Sequence, residues 1–139
     1  MAYTHTQYQE RVVTEATLAT AGDKGKLTPG YVPLVIRAVA IVCKTDPTAA
    51  GVLKIDKRPT AGSDTGRGDG DVAVINVAAT HAQGDVVYKD GLNVELKPGE
   101  EAVVEVTGAV TGLTLADVIF FVEPRWELPG NIAAMKEST

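Results

Sequence analysis

The residues able to do chemistry in this chain are few and far apart. Histidine occurs twice, as His5 and His81, and cysteine once, as Cys43. Nucleophilic catalysis needs a Ser or Cys beside a histidine base that a third group orients. Neither histidine stands at any family spacing from Cys43, Ser63 or Ser138. His81, in ATHAQGD, reads as a surface-turn residue. Cys43, inside VIRAVAIVCK, reads as a buried and inert thiol, because reactive thiolates sit in exposed, electropositive surroundings. Zinc-ligand spacings are absent, as is any tight His-x-His or His-x-Asp pair. No Gly-rich strand–loop–helix unit offers a phosphate cradle. The sequence therefore predicts a protein that is not an enzyme and carries no cofactor.

Two segments hold groups that could bind. The loop DTGRGDGD places Asp64, Asp69 and Asp71 within eight residues, and calcium favours several carboxylates on a flexible loop. The spacing does not fit the twelve-residue EF-hand pattern, so a solvated loop is the expectation and these three acids are its metal candidates. The same loop contains Arg67-Gly68-Asp69, an adhesion tripeptide when displayed on a tight turn. The second segment, VEPRWELPGN, carries the sole tryptophan, Trp126, between Arg125 and Glu127 and close to Leu128. Tryptophan and arginine dominate interface hot spots by joining large rigid area to a polar handle. With Tyr3, Tyr8 and Arg11 near the other end, Arg125, Trp126 and Leu128 are the candidate partner-interface residues.

The scaffold for these groups must come from Val, Ile, Leu and Ala. Of 139 residues 45% are apolar but only 5% aromatic, a composition that suits sheets. The length fits one domain, and a core of that size needs no disulfide staples. Net charge is −5, and Lys and Arg never cluster beyond two neighbours, which argues against a nucleic-acid surface. The longest apolar stretch, Val32 to Cys43, is interrupted by Arg37 and too short to span a bilayer. The polar N-terminal run MAYTHTQYQER reads as no signal peptide, so synthesis in a reducing cytoplasm and no membrane association are expected.

Along the chain, residues 1–10 read as an arm, 11–124 as one β domain and 125–139 as an extended tail. Arg11 to Thr20 reads as a strand and Ala21 to Gly30 as a loop, given its three glycines and a proline. Tyr31 to Lys44 is the longest strand candidate. Leu34, Ile36, Ala38 and Ala40 share one parity, and Val35, Val39, Ile41 and Cys43 the other, which predicts burial on two faces. Strands follow at Gly51 to Lys57, Asp71 to Ala79 and Asp117 to Glu123, the last placing Phe120 and Phe121 in the core. Between Gly84 and Gly108, Asp90-Gly91 and Pro98-Gly99 predict two tight turns joining three antiparallel strands. Seven or eight strands with turns at this spacing predict an all-β fold, a single antiparallel β-sandwich or jelly roll of about eight strands.

In length and element order the chain resembles the small jelly-roll decoration (cement) proteins on the heads of tailed bacteriophages. A polar arm precedes YVPLVIRAVAIVCK, a Gly/Asp loop precedes DVAVINVAATHAQGDVVYKDGLNVELKPGEE, and a strand ending EPRWELPGN closes the domain. The resemblance covers residues 10–130. It implies a homotrimer on the outer surface of a virion, clamping neighbouring subunits of a major capsid protein, with the double-parity strand contributing to trimer packing. Net negative charge suits a surface away from packaged DNA. A carbohydrate- or receptor-binding sandwich module is the alternative, set back by the shortage of aromatic platforms. Another head or tail component is the third.

Overall fold

The computed structural model describes residues 9–59 and 70–125. Their strands are β1 (Gln9–Ala16), β2 (Gly22–Leu27), β3 (Leu34–Cys43), β4 (Gly51–Pro59), β5 (Gly70–Val77), β6 (Val86–Lys89), β7 (Val94–Leu96), β8 (Glu100–Gly108) and β9 (Ala116–Pro124). One sheet runs β1-β9-β3-β6, with β7 also on β3; the other runs β2-β8-β4-β5. All pairings are antiparallel. If β6 and β7 count as one interrupted strand, each sheet has four strands, and the chain crosses between them at every connection except the β4–β5 hairpin, as two interleaved Greek keys. That order is a jelly roll of eight strands.

Four expectations change on contact with this topology. The Ala21–Gly30 segment is not simply a loop, since it contains β2. Only Leu27 of that strand is buried, so its sequence lacks an apolar signal, and pairing with β8 from Gly22 to Leu27 holds it in place. The first strand starts at Gln9 and ends at Ala16, earlier at both ends than its sequence pattern suggests. Asp90-Gly91 is not a hairpin turn. β6 pairs Val39 to Val42 and β7 pairs Leu34 to Ile36, so both lie end to end along the same edge of β3. Residues Asp90 to Asn93 face only Arg37 and Ala38, and these two extra residues form a bulge with Gly91 at φ +73°. Pro98-Gly99 likewise joins no hairpin, because it carries the chain from one sheet to the other. Glu100 N–H donates to Lys97 O (3.0 Å) and Gly99 has φ +91°, as a Pro-Gly type II turn requires.

The long strand β3 corrects the parity argument. Its register with β9 slips between Ile36 and Ala38, so Arg37 is a bulge residue. Past it the faces exchange. Leu34 and Ile36 join Val39, Ile41 and Cys43 in the core, where they meet Leu53, Ile55, Ile75, Val104, Val106, Val118 and Phe120. Val35, Ala38 and Ala40 take the opposite face yet are also buried. The double burial is thus completed within one chain, and β3 itself presents little surface for a trimer contact.

Candidate functional site

The outer face of the β1-β9-β3-β6/β7 sheet holds a depression of about 540 Å³ lined by Arg37, Ala38, Tyr88, Asp90, Leu92, Asn93 and Phe121, with Gly91 at its rim. Its shape follows from small residues on the central strand. Ala40 pairs with Tyr88 of β6, and Ala38 pairs with Phe121 of β9. Strands two apart are separated by roughly 9.5 Å. The methyls of Ala38 and Ala40 leave room for the two rings to lean over β3, and they meet edge to face at 6.1 Å and 73°. Phe121 is therefore half-buried on the outer face, whereas its neighbour Phe120 is in the core. The expectation that both phenylalanines are core fails because consecutive strand residues face opposite ways.

Two bulges converge on Arg37 from opposite sides, and its guanidinium is fixed. Nε and one terminal nitrogen donate to Glu123 (3.1 and 3.4 Å), and the other donates to Asn93 Oδ1 at 2.7 Å. Leu92 N–H donates to Arg37 O (3.0 Å), tying the bulge to β3. Glu123 also lies 3.8 Å from Arg125, whose backbone N–H donates to Pro33 O at 2.8 Å. Arg125 thus stands beside this face. Arg11 does not join it: it lies on the edge strand β1 and donates to Gln9 Oε1 at 3.1 Å. Tyr3, Tyr8, Trp126 and Leu128 lie outside the described residues.

Among the described residues, one flank of the sandwich is open. β5 and β6 are the outermost strands of their sheets, and between them a cleft of about 410 Å³ is lined by Val74, Ile75, Asn76, Val87, Tyr88 and Lys89. Val74 (43% exposed) and Val86 (53%) stand on this flank, while the Tyr88 ring at its margin leans toward Phe121. From Val72 to Val77 the edge strand carries neither charge nor proline, its one charged residue being Asp71 near the start.

The outer face of the other sheet carries an ion-pair ladder instead. Arg58, largely buried, meets Asp23 (2.8 Å), Asp56 (3.2 Å) and Glu105 (3.5 Å), and Lys54 lies 3.7 Å from Asp56 and 3.6 Å from Glu105. Among the described residues no group of three His, Cys, Asp or Glu is placed to hold a metal ion. Asp64 and Asp69 lie outside those residues, as does the Arg67-Gly68-Asp69 tripeptide. The backbone of Asp71 falls in β5, opposite Asp56.

Of the nucleophile and base candidates, Ser63, Ser138 and His5 lie outside the described residues. Cys43 is buried in the core, and burial, followed by the Asp85 carboxylate, pushes its thiol above the usual range. That is the reverse of activation. His81 occupies the turn expected for it, with Nδ1 3.6 Å from Asp85.

No protein-family model matches this chain, and no curated protein matches it. Among solved structures it is similar to Eiger TNF from S. frugiperda, at 12% identity over 82% of this chain and 71% of that one, with a TM-score of 0.37. The fold assignment rests on the sheet order itself.

Proposed function

We propose that this protein is a structural virion component, a capsid decoration protein that associates as a homotrimer and binds the outer surface of a phage head. The observation that carries the reading is the β5/β6 flank, where, among the described residues, two unpaired edges and the exposed Val74 and Val86 coincide. Association around a three-fold would cover both edges and bury that apolar surface. Trimer contact moves, on this reading, from β3 to the flank beside it. Partner contacts at several points around a capsid three-fold would gain affinity through multivalency.

The test is the mass in solution by light scattering, with and without chelator, followed by co-sedimentation with expanded phage heads. The expected result is a chelator-independent trimer that binds heads. The double variant Val74→Lys, Val86→Lys should be monomeric with nearly unchanged melting temperature, because both side chains are already exposed. A wild-type monomer that also ignores capsids would sink the proposal.

A further inference from the structure

We infer that the depression framed by Arg37, Tyr88, Asp90, Asn93 and Phe121 is a binding site for a neutral saccharide. The site opens on the sheet's outer face, where Tyr88 leans toward Phe121, and it shares Tyr88 and Asp90 with the flank cleft; the Val74→Lys, Val86→Lys variant tests it apart from the trimer reading. Its volume, about 540 Å³, is in the range of small-ligand pockets. The floor is alanine and the wall is aromatic. Tyr88 is 56% exposed, and the edge-to-face contact of its ring with Phe121 holds that ring as a platform for the C–H face of a sugar ring.

Polar groups surround that platform, and they are preset. Arg37 commits three of its five N–H groups to Glu123 and Asn93, leaving two for a ligand. Asn93 accepts from Arg37 through Oδ1, so its amide nitrogen remains as a donor. The Asp90 carboxylate and the Tyr88 hydroxyl have no hydrogen-bond partner among the described residues. A carboxylate, an amide and a guanidinium around an aromatic face match the alternating donors and acceptors of vicinal hydroxyls. Charge narrows the class further. Arg37 and Arg125 are balanced by Glu123 and Asp90, so the rim has no excess positive charge to hold a phosphate or nucleic acid. A purely apolar ligand would strand Asp90 and the open N–H groups of Arg37. The paired bulges supply rigidity, since both the aromatic and the polar groups stand on strands or on a tied bulge rather than on a long loop.

The experiment is backbone-amide shift mapping on the full chain, titrated with glucose, galactose, mannose, N-acetylglucosamine and their disaccharides. At least one should shift amides at 37–38, 88–93 and 121, with a dissociation constant on the order of 1 mM. Tyr88→Ala and the isosteric Asp90→Asn should each weaken binding by about tenfold or more. Ala38→Leu, which fills the floor, should abolish it. The Val74→Lys, Val86→Lys variant retains the lining, so binding by that variant separates this inference from the trimer proposal. Absence of shifts with every sugar at concentrations of tens of millimolar would overturn the assignment. Shifts confined to other surfaces, or binding unaltered by Tyr88→Ala and Asp90→Asn, would overturn it too.

Discussion

Replacing Arg58 by methionine would test whether the ladder on the β2-β8-β4-β5 sheet is a structural device or surface decoration. The Arg58 side chain is 10% exposed, and Asp56, 3.2 Å away, is fully buried. Surface ion pairs contribute about 0–1 kcal/mol, whereas removing one partner of a buried pair costs roughly 3–5 kcal/mol by leaving a charge uncompensated. Two features lower the cost here. Lys54 still lies 3.7 Å from Asp56, and Asp23, which receives two of the Arg58 bonds, is 54% exposed. An expected loss is therefore about 2–4 kcal/mol, which for a chain of this size lowers the melting temperature by roughly 10 °C. Urea unfolding should show a lower midpoint with unchanged slope. The double variant Asp56→Leu, Arg58→Met should recover most of the loss, since a buried pair replaced by apolar residues is often neutral. A single variant within about 1 kcal/mol of wild type, or a double variant worse than the single, would refute this account of the ladder.

Three further outcomes follow from packing and titration. Phe120→Ala should cost about 3–5 kcal/mol by emptying core volume, while Phe121→Ala, its neighbour on the outer face, should cost about 1 kcal/mol in thermal unfolding. Gly51→Ala should destabilise by about 1–3 kcal/mol, because a Cβ there would lie 2.5 Å from both Gly108 O and Val110 Cγ2; a neutral result by calorimetry would contradict that close approach. Cys43 should resist a thiol reagent in the native protein and react fully in denaturant. Its folded pKa is raised by burial and then by Asp85, so the unfolded chain loses the proton first. The associated stability is complete below the unfolded pKa and falls as pH rises toward the folded value, by up to about 1.4 kcal/mol per pH unit. Unfolding curves of Cys43→Ala should lack that alkaline decline.

How much of this was legible in the sequence depends on whether a residue's role is local. Buried strands with continuous apolar runs, β3 and β9, announced themselves; β5 did so as a strand, but the residues it turns inward are Ala73, Ile75 and Val77 rather than the parity of Val72, Val74, Asn76 and Ala78. β2 did not, because an edge strand reading GDKGKL owes its conformation to β8. The Asp90-Gly91 signal was a real turn preference put to another use: Gly91 supplies the positive φ, but the partner of both flanking strands is β3. The bulge at Arg37 left no mark that a period-two reading could detect, and a single inserted residue moves every later side chain to the other face. A period-two pattern therefore points to β3 as a contact surface and gives no sign of the depression. A usable clue was present in Ala38 and Ala40, small residues in an otherwise bulky strand, which make space only for something approaching from neighbouring strands.

Self-association at the flank and recognition at the depression place opposite demands on β6, and its geometry meets both. Val86 belongs to the exposed flank, whereas the Tyr88 ring leans across β3 onto Phe121 and away from it. A trimer joined at the β5/β6 edges would carry three depressions on one rigid body. On a surface bearing many copies of a neutral sugar, tethering the second and third sites to the first raises apparent affinity by roughly 10²–10⁴-fold with no new contact. The Val74→Lys, Val86→Lys variant should therefore keep the single-site constant in solution yet wash rapidly from a sugar-coated surface, while the wild type is retained. Surface plasmon resonance at high and low sugar density reads both quantities. Equal retention of the two proteins at high density would show that the sites do not act together, and with it that the flank does not hold the copies in a common assembly.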